Sequence, residues 1–292
     1  MSRAFPKISI IMPVCKYDEY LEQAINSILA QTFQEFEFLI IANGMLVDSF
    51  QKLQSFCQKD SRVRLYQTSI KQLQYNLNYA LDLAQAEIIA RMDGDDIAFP
   101  TRLEKQYFYL LEENIDLLGS NFEYIDEKNL KIDKKNYILL RNAEIRKAMT
   151  IFCPFCHPTI MFKKSIILDA GAYCFGNIAE DWELYLRLRR NAEIKFANYP
   201  EVLLQYRQHS KQMSKQSSKM DSIIVSGLYV REFVYTKNIA YLKGALIHFF
   251  LATPFRKILK RMEQWRRKKK ISLYFTLFWN ISFLFFSLFK IL

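Results

Sequence analysis

Three aspartates within four residues carry the clearest chemical signal in this sequence. Asp93, Asp95 and Asp96 directly follow residues 87–92, a mostly apolar run typical of a strand. Carboxylates this close together repel one another unless a cation lies among them, and Mg²⁺ or Mn²⁺ prefers oxygen ligands of this kind. The three side chains therefore indicate a divalent-cation site that can also hold the phosphates of a nucleotide. The alternative is a solvated Asp-Gly turn.

The first half of the chain predicts the sheet that positions these carboxylates. Short β-branched or apolar runs alternate with longer helical patterns, which is typical of an α/β fold with a parallel sheet and helices on its faces. In such a sheet, ligands bind beyond the carboxyl ends of the strands, where the aspartates stand. The predicted strands cover residues 8–12, 36–42, 63–67 and 87–92, and the predicted helices cover residues 20–31, 73–84 and 100–113.

The second half of the chain is less regular. Its predicted elements are strands over residues 115–125, 159–162, 194–196 and 202–206, and helices over residues 142–150 and 180–190. Residues 211–222 are polar and rich in Ser and Lys, which predicts a loop or linker.

The formal net charge of +11 is concentrated late in the sequence. Residues 241–292 contain eleven Lys and Arg but a single acid, Glu263, so this segment carries +10 and residues 1–240 carry +1. A nucleic-acid-binding protein more often spreads its basic residues over a folded face. The nearly neutral body therefore argues against nucleic acid as a partner, and the 51% hydrophobic content suits one large core.

The five cysteines do not predict a disulfide framework, because their number is odd and a chain of 292 residues does not need one. They favour a reducing compartment, and we expect no secretion signal because Pro13 interrupts the apolar run over residues 8–12. The stretch from Cys153 to His157 matches the c-type haem pattern, and its Cys-x-x-Cys pair suits redox or zinc sites. Haem attachment requires export and a zinc set requires more ligands, so we interpret Cys153 and Cys156 as buried or half-buried thiols.

Three blocks of sequence together resemble the family 2 glycosyltransferases, which have the GT-A fold. The central block, IARMDGDDI and PTRLEKQ, covers residues 89–97 and 100–106. An earlier block covers residues 10–14, 21–33 and 36–38, and a later block covers residues 157–159, 179–184 and 204–209. The resemblance spans about residues 8–214 in the family's own order.

The resemblance implies a metal-dependent, inverting glycosyltransferase that uses a nucleotide-sugar donor. Asp93 and Asp95 match the family's DxD pair, with Asp93 near the ribose and the metal and Asp95 ligating the metal, Mn²⁺ or Mg²⁺. The metal stabilises charge on the departing nucleoside diphosphate. Asp181 matches the catalytic base that removes the proton of the acceptor hydroxyl.

Further site residues follow from the same resemblance. Pro13 and Asn43 match positions that bind the nucleotide sugar, and His209 matches a histidine that completes the metal shell in some relatives. Glu180 can raise the pKa of Asp181 through repulsion between like charges, although acids at a helix start are also favoured by the helix dipole. The expected supporting residues are Glu180, Asp96, Arg91 and His157.

The sequence departs from the family pattern at two places. Residues 42–44 are Ala-Asn-Gly, where the family usually has Asp-Asp-Gly with an acid that contacts the nucleotide base. Asn43 still offers a donor and an acceptor to uracil, so UDP-sugars remain the favoured donors. Cys15 and Lys16 stand where Tyr-Asn is common, and Lys16 can reach a phosphate or face solvent; we expect solvent.

The last residues suggest a membrane partner. Residues 256–270 are basic, and the 19 residues from 271 to 289 are uncharged. As a helix the uncharged stretch would extend about 28 Å, close to the roughly 30 Å hydrocarbon thickness of a bilayer. It can span the membrane, lie at its interface, or pack onto the protein's own core. In the first two cases the basic residues meet anionic headgroups and the body stays cytoplasmic.

These observations predict an α/β, GT-A Rossmann-like, mostly parallel sheet flanked by helices, followed by a C-terminal helical membrane-associated tail. Residues 1–214 are the expected catalytic domain (about 1–125 for the nucleotide sugar, about 126–214 for the acceptor), residues 215–255 a helical linker, and residues 256–292 the tail. The expected function is sugar transfer to a hydroxyl of a glycan or lipid-linked acceptor in cell-envelope polysaccharide or lipopolysaccharide synthesis, at the cytoplasmic face of the inner membrane.

Two alternative functions remain. One alternative is a sugar nucleotidyltransferase, which usually has a glycine-rich loop near the first strand, whereas residues 12–20 contain no glycine. The other is a non-catalytic membrane-surface protein.

Overall fold

The computed structural model of the protein describes residues 5–134, 136–174, 176, 178–210 and 219–254. It divides into two compact units, Met1–Lys215 and Gln216–Leu292. The tail predicted over residues 256–292 lies outside the described residues. Among the helices of the described ranges, none is both long enough and apolar enough to cross a bilayer.

A mixed sheet of nine described strands forms the first unit. Its order is β3-β2-β1-β4-β8-β6-β9-β5, with β7 paired to β6. The strands are β1 (Ile8–Val14), β2 (Phe36–Asn43), β3 (Val63–Thr68), β4 (Ile88–Arg91), β5 (Ile97–Ala98), β6 (Leu117–Ile125), β7 (Lys131–Ile132), β8 (Met161–Lys163) and β9 (Phe196–Arg207).

Strand direction divides this sheet into two halves. The pairs β1–β2, β1–β4 and β2–β3 are parallel, as the alternating pattern of the first half predicts. In the second half, β8 runs antiparallel to both β4 and β6, and β5 runs antiparallel to β9. In the same half, β6 and β9 are parallel. Four of the eight described strand pairings are antiparallel, so the sheet is mixed and the prediction of a mostly parallel sheet is wrong. β8 has three residues, of which Met161 and Phe162 are apolar, and so short a segment carries no local information about which distant strands it joins or in which direction.

Helices cover both faces of the sheet. They are α1 (Glu19–Leu29), α2 (Val47–Cys57), α3 (Leu73–Leu83), α4 (Arg102–Glu112), α5 (Asn142–Ala148), α6 (Lys164–Asp169) and α7 (Glu180–Arg190). In β1, Ile10 and Met12 join the core packed by α1, α2 and α4, whereas Ile11 joins the core packed by α3, α5, α6 and α7. Because both faces are buried, the central strands read as continuous apolar runs.

Four predicted elements of the second half differ in the structure. The two strands predicted over residues 194–196 and 202–206 are one strand, β9, whose register against β6 shifts near Asn121. The strand predicted over residues 159–162 is preceded by a short 3₁₀ helix, His157–Thr159, so β8 starts later. The prediction of a loop over residues 211–222 is wrong for residues 219–222, because a helix begins at Lys219. Residues 211–218 lie outside the described residues.

The described part of the second unit consists of two helices, α8 (Lys219–Thr236) and α9 (Ala240–Ala252). They pack against each other as a helical hairpin. The Ser226 hydroxyl donates to the Ala245 carbonyl at 2.8 Å, and the Tyr229 ring stacks on His248 with ring centroids 5.5 Å apart.

Candidate active site

The acidic turn, residues 93–96, follows β4 at the carboxyl edge of the parallel strands. One carboxylate oxygen from each of Asp93, Asp95 and Asp96 lies within 4.8 Å of the others. Gly94 lets the turn approach β1 closely, because a Cβ at this position would lie 2.9 Å from Cγ1 of Val14. The turn therefore holds three carboxylates together against the centre of the sheet.

Each carboxylate of the acidic turn has a different neighbour. Asp93 forms an ion pair with Arg91, the last residue of β4. Oδ2 of Asp95 lies 2.9 Å from Nε2 of His209. Oδ1 of Asp96 accepts the backbone N–H of Arg207 at 2.9 Å, whereas its buried Oδ2 has no hydrogen-bond partner in the described part of the chain.

The electrostatics of the acidic turn favour an added positive charge. Burial raises the pKa of Asp93, and Asp95 adds to the increase while Arg91 opposes it. Burial also raises the pKa of Asp96 well above its ordinary value, with further increases from Asp93 and Asp95. A cation would relieve both the burial penalty and the repulsion among the carboxylates.

Arg207 links the acidic turn to two other segments, the helix α1 and the residues after β6. Its fully buried guanidinium donates to the Asp95 carbonyl at 2.7 Å, to Oε1 of Gln23 at 2.8 Å and to Oδ1 of Asn129 at 2.5 Å. It also lies 4.5 Å from the centre of the Tyr20 ring. The sequence alone predicts no role for Arg207, because its partners are far away in the chain. Its position two residues before His209 was the available signal.

Buried polar side chains of α4 fix the end of β4. Nη2 of Arg102 donates to the Arg91 carbonyl at 2.8 Å, and Nε donates to Gln106 at 3.0 Å. Gln106 in turn donates to the Thr159 carbonyl at 2.8 Å. Arg91 is 3% exposed, and its Nε has no hydrogen-bond partner among the residues described. A buried donor of this kind points to a ligand group.

Glu180 and Asp181 begin α7, after Ala179 in the left-handed conformation (φ 59°). Oδ1 of Asp181 accepts the N–H of Trp182 at 2.7 Å. Burial raises the pKa of Asp181 and raises the pKa of Glu180 to about 7, where the charge of Asp181 adds to the effect. Arg91 lowers both pKa values and Asp93 raises both, so the start of α7 and the acidic turn share one electrostatic environment.

His157 connects this pair to the 3₁₀ helix. Its Nε2 lies 3.0 Å from the Tyr173 hydroxyl, and its Nδ1 lies 3.9 Å from Oε1 of Glu180. Burial lowers the pKa of His157 well below its ordinary value, with a smaller contribution from Arg91, so the ring is neutral at pH 7.

All five cysteines are free thiols, and burial raises the pKa of Cys153 and Cys156 well above the ordinary value, which disfavours thiolate chemistry.

Pro13 and Asn43 lie at the carboxyl ends of the adjacent strands β1 and β2. Both residues are buried, and Gly44 turns the chain after Asn43 with φ +56°. Lys16 is 53% exposed and pairs with Asp18 at 2.5 Å. The structure thus brings Asp93, Asp95, Asp96, Arg91 and His209 into contact, and it places Pro13 and Asn43 at the neighbouring strand ends.

A mixed, helix-flanked sheet with carboxylates at its central strand ends is the architecture of a GT-A glycosyltransferase. A family model described as glycosyl transferase family 2 matches residues 9–170. The chain is 39% identical over 251 residues to the O-antigen biosynthesis glycosyltransferase WbnJ of Escherichia coli, covering 85% of this chain and 96% of that protein. It is 28% identical over 204 residues to the amylovoran biosynthesis glycosyltransferase AmsE of Erwinia amylovora, covering 68% and 74%.

Two solved structures have a similar fold. S. aureus TarS 1–349 in complex with UDP-GlcNAc has a TM-score of 0.66 at 16% identity, covering 85% of this chain and 75% of that one. The mannosyltransferase PcManGT from Pyrobaculum calidifontis, in complex with GDP-Man and Mn²⁺, has a TM-score of 0.61 at 12% identity, covering 94% and 85%. The chain belongs to glycosyl transferase family 2. It is a glycosyltransferase, and the resemblance seen in the sequence is confirmed.

Proposed function

We propose that this enzyme moves a sugar from a UDP-linked donor to a hydroxyl of a glycan or lipid-linked acceptor in cell-envelope polysaccharide or lipopolysaccharide synthesis. The observation that carries the proposal is the group of three carboxylates within 4.8 Å, electrostatically coupled to Glu180 and Asp181. The relatives named for O-antigen and amylovoran synthesis support this class of acceptor. The fold shared with complexes of UDP-GlcNAc and GDP-Man supports a nucleotide-sugar donor, and the choice of uridine rests on Asn43.

Asp93, Asp95 and His209 would hold Mn²⁺ or Mg²⁺, with Asp96 in support. Ligand atoms at right angles around such an ion, at ligand distances of about 2.1 Å, lie roughly 3 Å apart. The 2.9 Å between His209 Nε2 and Asp95 Oδ2 fits this spacing, and the unpartnered Asp96 Oδ2 fits a cation environment. When bound, the ion would neutralise charge on the departing diphosphate. Pro13 and Asn43 would line the nucleotide site, with Asp93 near the ribose.

Asp181 would act as the base. The acceptor oxygen attacks the anomeric carbon from the face opposite the diphosphate, so the configuration inverts. The bond between the anomeric carbon and the diphosphate oxygen breaks, and its electron pair leaves with the nucleoside diphosphate. Asp181 takes the proton of the acceptor hydroxyl. Burial raises the pKa of Asp181, which makes it a stronger base than an exposed aspartate. Arg91 opposes protonation of Asp181 and would orient negatively charged groups of the donor.

The membrane would supply the acceptor. The basic residues of 256–270 would meet anionic headgroups at the cytoplasmic face of the bacterial inner membrane, and residues 271–289 would serve as an interfacial or single C-terminal anchor. The proposal is supported by the +10 charge of residues 241–292.

The test is a panel of UDP- and GDP-sugars assayed for hydrolysis and transfer with and without Mn²⁺. We expect a UDP-sugar to react only with the cation present. Asp95→Asn should lower the rate about 100-fold or more, because an ion's charge stabilisation is worth several kcal/mol. Asp133→Asn, at an exposed aspartate of the first unit, is the matched control and should leave the rate unchanged. Cation-independent turnover, or wild-type turnover in Asp95→Asn, would contradict the proposal.

A further inference from the structure

The outer side of α8 presents a row of apolar side chains. Met220, Ile223, Val230 and Val234 recur every three to seven residues, which places them along one side of the helix. Their exposed fractions lie between 45% and 59%. A helix of a water-soluble domain normally turns polar residues outward, so this row is the reverse of the expected pattern.

The second helix of the hairpin is apolar on all sides. In the 13 residues of α9, Lys243 is the single charged residue. Leu246 and Phe249 are 42% and 52% exposed, and Ile239, just before the helix, is 72% exposed. A helix that is apolar all round is typical of a protein core or of a membrane environment.

The contact between the two helices does not account for these outward side chains. The hairpin is closed by a different set of residues, in which Ser226 bonds to the Ala245 carbonyl and Tyr229 packs on Tyr241 and His248. The outward residues are therefore additional apolar surface, of the kind that marks contact with a partner or a membrane.

The charge of the residues that follow the hairpin indicates an anionic partner. After α9, residues 253–292 have ten basic residues and one acid, so the apolar hairpin leads directly into a strongly basic segment. Apolar side chains beside basic ones are the combination that binds an anionic bilayer, since the former enter the acyl boundary and the latter meet the headgroups. We propose that the outward side chains of α8 and α9 insert into the surface of an anionic membrane. This inference deepens the membrane part of the proposed function.

The test uses the full chain and vesicles of phosphatidylcholine with or without phosphatidylglycerol, separated by sedimentation. We expect binding to the anionic vesicles and weak binding to the neutral ones. Val234→Ser and Phe249→Ser should each weaken binding about tenfold, because each removes an inserted apolar side chain. Leu130→Ser is the matched control, since Leu130 is 62% exposed in the first unit, and it should bind as wild type.

Three results would overturn the inference. One is wild-type vesicle binding by both hairpin variants. A second is a dimer in light scattering that the variants dissociate, which would assign the surface to another copy of the chain. The third is a loss of thermal stability without a change in vesicle binding, which would mean that the chain itself covers the surface. Donor hydrolysis without vesicles is measured separately, so failure of the proposed function is distinguishable from failure of this inference.

Discussion

Replacing Arg207 tests how the acidic turn is held in place. The guanidinium donates to Gln23, to Asn129 and to the carbonyls of Asp95 and Asp126, and it is fully buried. Arg207→Met would leave these four acceptors without their donor. Each bond from a charged group contributes about 1.5–3 kcal/mol, and such losses are not additive. We expect the free energy of unfolding to fall by about 4 kcal/mol, a large part of the 5–15 kcal/mol typical of a domain.

Two milder variants keep this test informative if Arg207→Met does not fold. Arg207→Lys retains the charge but lacks the planar fork, so it should lose about 2 kcal/mol and hold the Asp95 backbone poorly. Gln23→Ala removes one acceptor and should cost about 1 kcal/mol. Urea denaturation measures both losses, and calorimetric titration with Mn²⁺ measures the effect on the acidic turn. We expect Arg207→Lys to weaken Mn²⁺ binding about tenfold.

Arg146 provides a matched control for the specific effect. Its guanidinium donates to the carbonyls of Ile194, Arg189 and Asn191, away from the acidic turn. Arg146→Lys should therefore destabilise the fold without changing Mn²⁺ affinity. Equal weakening of Mn²⁺ binding in both lysine variants, or a loss below 1 kcal/mol in Arg207→Met, would refute the reasoning.

Two other substitutions have defined outcomes. Gly94→Ala should lower Mn²⁺ affinity and turnover at least tenfold, because its Cβ would lie 2.9 Å from Val14 and force the turn to move; Gly227→Ala, with open space around it, should change neither. Glu180→Gln should reduce the pH dependence of stability: since burial raises the folded-state pKa of Glu180 from 4.5 to about 7, this residue alone lowers the free energy of unfolding by about 3 kcal/mol as pH rises between these values. Without divalent cations, the urea midpoint of the glutamine variant should fall less between pH 5 and pH 8 than that of the wild type; the remaining decrease comes from Asp93, Asp96 and Asp181, whose pKa values are also raised. Glu112→Gln, an exposed control, should retain the wild-type difference. A wild-type pH profile in Glu180→Gln would contradict the assignment of this titration.

Local sequence patterns predict the first half of the fold well. β1 to β4 and helices α1, α3 and α4 lie within a few residues of their predicted bounds, because their apolar residues repeat at strand or helix spacing. α2 is missing from the prediction, although Phe50, Leu53 and Cys57 recur at helix spacing and pack against the core. The two-residue strands β5 and β7 are too short to leave a pattern. Long-range pairing, such as β8 between β4 and β6, is set by the tertiary fold.

The candidate site likewise has a part that local sequence predicts and a part that depends on long-range contacts. The three aspartates of the acidic turn are adjacent in sequence, so their proximity can be predicted from the chain alone. The contact of His209 with Asp95 spans 114 residues, and the sequence indicates it through resemblance to the family. The role of Arg207 cannot be predicted from local sequence, because its four acceptors come from the helix α1, the acidic turn and the segment after β6.

In the proposed mechanism, the acidic turn binds the donor while Asp181 removes the acceptor proton. The most direct measurement compares donor binding with turnover in Asp181→Asn, using titration with the UDP-sugar that reacts with the wild type. We predict donor affinity within about threefold of wild type and a transfer rate lower by roughly 1,000-fold, the size of a general-base contribution. A transfer rate within tenfold of wild type would contradict the claim.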